Sequence, residues 1–222
     1  MRLIAHRGFA DEAPENTLAA LEHAAESGAD VMELDVRRCA SGEVVVHHDE
    51  TVDRVTDGTG RVADLTREEL AALDVLGSGE GVPTLAAVLD AVPDDLALNV
   101  ECKEVDVAAE VADALAAHDG DAMLSSFERD ALAEARAAAP SVPTAFLTDS
   151  LRNRPVTTAV ELDCDYVHPH YFLPLLSKLV PRAHDAGIEV NVWTVHSPAI
   201  VRLLGLRGVD GIVSDRSGVL AR

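Results

Sequence analysis

Short runs of β-branched and apolar residues alternate along the chain with Ala- and Leu-rich runs of helical period. The strand-like runs fall at 2–6, 30–38, 43–48, 96–102, 121–125, 143–148, 164–168, 188–194 and 210–214. Helical patterns fall at 17–27, 66–73, 84–92, 105–118, 128–139, 175–186 and 197–205. In the first of these, Asn16 is placed to cap, Leu18 and Leu21 repeat at helical spacing, and Gly28 ends the run. Strands alternating with helices in this way predict an α/β fold with a parallel sheet.

Nine such strands are one more than a (β/α)8 barrel requires. Only a short turn at Ser41-Gly42 separates 30–38 from 43–48. A parallel crossover needs about a dozen residues or more, so 43–48 is expected to fold back antiparallel. The remaining strands suit a TIM barrel with an antiparallel hairpin extension after strand 2. A doubly wound open sheet is the alternative, but no Gly-rich phosphate loop follows the first strand. Segment 49–95 holds Asp57-Gly58-Thr59-Gly60, short helices and a glycine-rich loop, and reads as a small helical elaboration over one barrel face. No linker or repeat divides the chain, so 1–222 is expected to be a single domain.

Composition narrows the partners. Eighteen basic residues against 39 acidic ones give a net charge of −21. That field disfavours nucleic acid and anionic membrane surfaces except at a local cationic spot. With 48% apolar residues the chain has material for a core and is no disordered acidic tail. Only Lys103 and Lys178 are lysines. An acid excess with few lysines suggests adaptation to a salty, cytoplasmic setting, where screening blunts self-repulsion. A high-GC coding bias is the alternative source of the same composition. Cys39, Cys102 and Cys164 form neither a disulfide framework nor a C-x-x-C metal motif. The N-terminus lacks an apolar signal core, and no apolar run is long enough to span a membrane.

Against this background a few polar residues stand out. Strand residues two apart share a face, so Glu33 and Asp35 point the same way from an otherwise apolar strand. Two carboxylates inside a barrel repel each other, and a divalent cation would relieve that repulsion and the cost of burial. Pairing with arginines at an exposed strand end is the competing explanation. If the hairpin turn centres between Ser41 and Gly42, His48 lies opposite Asp35, as a candidate proton carrier. Glu101 and Lys103 share a face at another strand end; Glu101 could complete a carboxylate site and Lys103 could meet a phosphate. A simple Glu–Lys pair is the alternative there. Strand one ends His6-Arg7-Gly8, where barrels place catalytic groups; Arg7 can grip a phosphate and Gly8 permits a sharp exit. Trp193, the single tryptophan, is either a core plug or a pocket wall. His168 and His170, around Pro169 at a strand end, could line the mouth.

These residues sit in stretches that together resemble the glycerophosphodiester phosphodiesterase family. The stretches are IAHRGFADEAPENTLAA (4–20), ADVMELDVRR (29–38), VVVHHDETVDRVTDGTGRVADLT (44–66), VPTLAAVLDAV (82–92), LALNVECK (96–103), LSSF (124–127), VNVWTV (190–195) and VDGIVSDR (209–216). The resemblance implies a TIM barrel that hydrolyses glycerophosphodiesters to glycerol phosphate and an alcohol with one divalent cation, Mg²⁺ or Ca²⁺, Mn²⁺ being a further option. It implies metal ligation by Glu33, Asp35 and Glu101, and acid–base work by His6 and His48. It also implies phosphate binding by Arg7 and Lys103, with Trp193 near the glycerol. His47 is not carried over. The chain departs from the family in having His196 where asparagine often follows Trp-Thr-Val, and in a short segment after the hairpin. Two rival readings are a related barrel phosphodiesterase of phospholipase C or D type acting on intact lipid, and a non-catalytic barrel that binds phosphate ligands.

Overall fold

The computed structural model of the chain describes residues 1–220. Eight parallel strands close into a barrel: β1 (Arg2–His6), β2 (Val31–Arg38), β4 (Ala97–Cys102), β5 (Ala122–Ser126), β6 (Thr144–Thr148), β7 (Tyr166–Pro169), β8 (Glu189–Val192) and β9 (Gly211–Ser214). Closure comes from β1, which pairs with both β2 and β9. The remaining strand, β3 (Val44–Val46), runs antiparallel on β2 as the hairpin pattern predicts. An open doubly wound sheet is thereby excluded.

The hairpin register differs from expectation by one residue. Val36 faces Val46 and Arg37 faces Val45, so Asp35 falls opposite His47, whose backbone N–H donates to the Asp35 carbonyl at 2.9 Å. The connection is wider than a two-residue turn. Cys39 N–H donates to Glu43 O, and Gly42, at φ 101°, closes the inner loop onto Cys39 O. One added residue in a turn shifts every pair by one.

Helices α1 (Leu18–Glu26), α2 (Arg67–Ala71), α3 (Leu85–Ala91), α4 (Ala108–Ala117), α5 (Arg129–Ala138), α6 (Pro155–Glu161), α7 (Phe172–Leu176), α8 (Leu179–Asp185) and α9 (Pro198–Leu206) connect the strands. Helix α1 is capped by Thr17, whose hydroxyl accepts from Ala20 N–H, and not by Asn16. Asn16, at φ 61°, is turned inward instead. Helix α6 escapes the periodicity because Val156, Thr157 and Thr158 are poor helix formers; Pro155 at its first turn is its one start signal. The single helix expected over 175–186 is two, broken at the extended Ser177.

The main core lies between barrel and helices, where both faces of a parallel sheet are covered. A second, smaller cluster of Cys39, Val45, Val52, Val62, Leu70, Val75 and Val82 gives the elaboration after the hairpin its own interior. Helix α3 belongs to the barrel's regular alternation, so the elaboration is shorter than 49–95. Inside the barrel, Ile4, Val31 and Val213 pack together. Glu33 and Asp35 on β2, Asn99 and Glu101 on β4, His168 on β7 and Asn191 on β8 are buried polar residues of the barrel strands. All three cysteines are free and buried. Among the described residues no helix is long and apolar enough to cross a membrane.

Candidate active site

Strand register assembles the site. His6 lies beside Glu33 on β1 and β2, and Asp35 lies beside Glu101 on β2 and β4. Period-two alternation turns Glu33 and Asp35 inward together, as it does Asn99 and Glu101. Ligand oxygens of Glu33, Asp35 and Glu101 all lie within 4.8 Å of one another. The three residues are only 4%, 1% and 8% exposed, too buried for the exposed strand-end alternative.

The electrostatics of this cluster are unbalanced. Burial, then the Asp35 charge, pushes Glu33 up to about 8. The same two causes raise Glu101. Burial would raise Asp35 too, but the Lys103 and Arg7 cations overcome it and hold Asp35 well below the carboxylate range. Lys103 Nζ stands 2.8 Å from Asp35 Oδ1, off the hydrogen-bonding direction, and it also contacts Glu101. Asp35 Oδ1 and Glu33 Oε1 have no hydrogen-bond donor. Three buried carboxylates converging from the adjacent strands β2 and β4, with Glu33 Oε1 left without a donor, fit a hard divalent cation. One cation there would offset both the burial and the Asp35 charge that raise Glu33.

Both histidines are oriented by carboxylates. His6 Nδ1 meets Asp215 Oδ1 at 2.5 Å, and His48 Nδ1 meets Asp49 Oδ1 at 2.6 Å. Each ring therefore has its Nε2 left for chemistry; that of His6 is 3.9 Å from Glu33. Burial would lower His6, but Asp215 and Glu33 raise it overall, whereas burial lowers His48 despite Asp35. His48 is not placed by strand pairing opposite Asp35. It follows the end of β3, and its position depends on the bend there. His47 turns away and bonds Thr51 O through Nε2 at 3.0 Å.

Arg7 sits at φ 51°, Gly8 at φ 81° and Phe9 at φ 67°. This turn brings Arg7 N–H to Glu33 Oε2 at 3.0 Å. A Cβ on Gly8 would lie 2.5 Å from Ala20 Cβ and 2.7 Å from Ala20 O, so the close approach of β1's exit to α1 requires glycine. The Arg7 guanidinium reaches Glu15 at 3.0 Å and Asp35 at 3.2 Å. Arg54 clamps Glu15 through both terminal nitrogens at 2.8 Å and holds Asp49 at 2.5 Å. Asn16 Nδ2 donates to Asp35 Oδ2 at 3.0 Å. Sequence reasoning gave no role to Glu15, Arg54 or Asp215, and made Asn16 a helix cap rather than a partner of Asp35. They converge from distant segments, and only the PENT run and the aspartate after β9 hinted at them.

His6, Arg7, Glu33, His48, Glu101, Lys103 and Trp193 all line one cavity of about 210 Å³ at the C-terminal mouth of the barrel. Phe127 shares it and meets Trp193 edge-on at 5.5 Å. Trp193 is thus a pocket wall, fixed by its Nε1–H to His168 O at 2.7 Å. A larger depression of about 600 Å³ involving Arg2, Asp121 and Tyr166 lies elsewhere. It contains neither the carboxylate cluster nor the histidines, so volume is a poor guide to the chemistry here.

A closed α/β barrel whose C-terminal mouth gathers clustered carboxylates, carboxylate-held histidines and cations has the design of a phosphoester-processing TIM-barrel enzyme. Residues 6–219 match the model of the glycerophosphoryl diester phosphodiesterase family, and the chain belongs to that family. It is 34% identical over 227 residues to a glycerophosphodiester phosphodiesterase of Caldanaerobacter subterraneus, covering 96% of this chain and 93% of that protein. A phosphodiesterase of Oleispira antarctica, solved with the product sn-glycerol-3-phosphate, superimposes with a TM-score of 0.88 at 29% identity, over 97% of this chain and 93% of that one. A glycerophosphodiester phosphodiesterase of Agrobacterium tumefaciens gives a TM-score of 0.87 at 30% identity, over 99% and 98% of the two chains.

Proposed function

We propose that this protein hydrolyses glycerophosphodiesters to glycerol phosphate and an alcohol, with one divalent cation held by Glu33, Asp35 and Glu101. The carrying observation is the convergence of those carboxylates with His6–Asp215 and His48–Asp49 at one cavity. When bound, the cation supplies positive charge to the phosphate and the reacting oxygens. Mg²⁺ and Ca²⁺ both suit an all-oxygen donor set.

The chain's own residues supply the rest. Arg7 and Lys103 offset charge developing on the non-bridging oxygens. The substrate's glycerol hydroxyl beside the phosphate is the nucleophile. One imidazole takes its proton at Nε2, and the other donates a proton to the leaving alcohol. A cyclic phosphate results, and the histidines exchange roles as water opens it. An attacking group already attached to the phosphate gains the advantage of proximity. Trp193 and Phe127 offer an apolar wall to the carbon chain. The substrate is a small soluble molecule, and a site at the mouth of a closed barrel needs no nucleic-acid or membrane partner.

The test pairs an ordinary glycerophosphodiester with one whose nucleophilic hydroxyl is methylated. The first should be hydrolysed only with divalent cation present, and the second not at all. Brisk hydrolysis of the second would show direct attack by water.

A further inference from the structure

One part of the cavity is not used by this chemistry. Asn99 lines it, two residues before Glu101 on β4 and beside Glu33 on β2. At about 3.3 Å per residue, it lies roughly 6.6 Å deeper than Glu101 along the strand. Asn99 is 1% exposed, and its Oδ1 has no hydrogen-bond partner. A buried amide oxygen without a donor is costly and rare, and on a residue that lines a ligand cavity it points to a ligand.

His168, on β7, lines the same cavity and is 1% exposed. Burial, then the Arg2 charge, depresses its basicity, leaving a neutral imidazole. Its tautomer is set from behind. Glu189 pairs with Arg2, and Arg2 Nη2 donates to Asn191 Oδ1 at 3.3 Å. That bond leaves the Asn191 amide nitrogen to donate to His168 Nε2 at 3.0 Å. Nε2 is thus an acceptor, and the ring proton belongs on Nδ1. Gly211 permits this arrangement, since a Cβ there would stand 2.4 Å from Asn191 Oδ1. Two residues that line the cavity therefore carry an unmet amide acceptor and a neutral N–H donor. A hydroxyl, which donates once and accepts, complements such a pair; a phosphate or an ammonium does not.

We propose that Asn99 and His168 form a hydroxyl-recognition floor that selects substrates by the terminal hydroxyl of the glycerol, the one remote from the phosphate. This rests on the glycerophosphodiester reading above. A three-carbon polyol whose phosphate meets Lys103 at the mouth extends its far hydroxyl down β4 towards Asn99. Asn99 and His168 are specificity-determining residues on this account and move no proton.

The experiment compares glycerophosphocholine with its analogue carrying hydrogen in place of the terminal hydroxyl, and keeps the nucleophilic hydroxyl in both. Wild-type kcat/KM should favour the hydroxylated diester by about 10–100-fold, the scale of a buried donor and acceptor left unpaired. In Asn99→Leu that preference should fall below about threefold. Calorimetric binding of glycerol phosphate and of the matching deoxy phosphate, with the cation present, should show the same preference and the same loss. Equal treatment of the two diesters by the wild type overturns the proposal without any variant. A preference that survives Asn99→Leu overturns it as well. If the wild type hydrolyses neither diester, the functional reading fails, and the binding comparison still decides for or against the floor. An Asn99→Ser protein provides the same readings should the leucine variant not fold.

Discussion

Glu33 makes stability itself a reporter of the proposed metal site. Its carboxyl is 4% exposed and pushed up to about 8 from an ordinary value of 4.5. A folded value above the unfolded one means that its contribution is complete below about pH 4.5 and is lost as pH rises through 8. Each pH unit in that window corresponds to about 1.4 kcal/mol. From pH 6.5 to 8, cation-free protein should therefore lose about 2 kcal/mol through this group, or about 4–8 °C in Tm for a chain of this size. Glu101 and His6, also raised, act in the same direction. His168, depressed to about 3, acts oppositely, but its contribution is complete above its unfolded value of 6.5 and does not mask the effect. Urea unfolding in EDTA at pH 6.5, 7.25 and 8.0 reads the slope. Glu33→Gln should flatten most of it, and millimolar Mg²⁺ or Ca²⁺ should reverse it in the wild type, by about 4 kcal/mol at a thousand times Kd. Stability that is flat or rising with pH in EDTA, or indifferent to both cations, would refute the reasoning.

Other outcomes follow from the same geometry. His6→Ala and His48→Ala should each lower turnover by about 10²–10⁴-fold while cation binding by calorimetry persists; near-normal turnover in either removes it from the acid–base pair. Gly8→Ala, which forces a Cβ into Ala20 at φ 81°, should cost at least about 1–3 kcal/mol in urea unfolding, and an unchanged midpoint would contradict the close approach. With 39 acidic residues against 18 basic ones, stability should rise across a KCl series as self-repulsion is screened; indifference to salt would leave coding bias as the source of the composition.

Much of the barrel was legible because its signals are local. Alternation of apolar runs located all nine strands to within about two residues, and period two put Glu33 with Asp35 and Glu101 with Lys103. The failures have physical causes. One added residue in the hairpin turn moved the register, so the argument that brought His48 to Asp35 used the wrong pairing even though His48 does reach the cavity. Helix α6 was hidden by its threonines and valines, which packing on β6 and β7 overrides. Asn16 has the residue type of a cap, yet its amide is worth more beside buried Asp35, and Thr17 takes the capping role. Glu15, Arg54 and Asp215 could not be placed from sequence, because ion pairs between distant segments leave no periodic trace. Asn99 reads in the sequence as one more strand residue; only closure of the barrel shows that its amide oxygen is buried without a donor.

The central claim is metal-dependent glycerophosphodiester hydrolysis, and ³¹P NMR reads it most directly. Glycerophosphodiesters with choline, ethanolamine, inositol or glycerol head groups would be incubated with the folded protein in high KCl, with Mg²⁺, Mn²⁺ or Ca²⁺, and with EDTA as control. The account predicts cation-dependent conversion of the diester signal to a phosphomonoester, with a cyclic phosphate signal on the way. Intact diester under every cation, or conversion undiminished by EDTA, would contradict it.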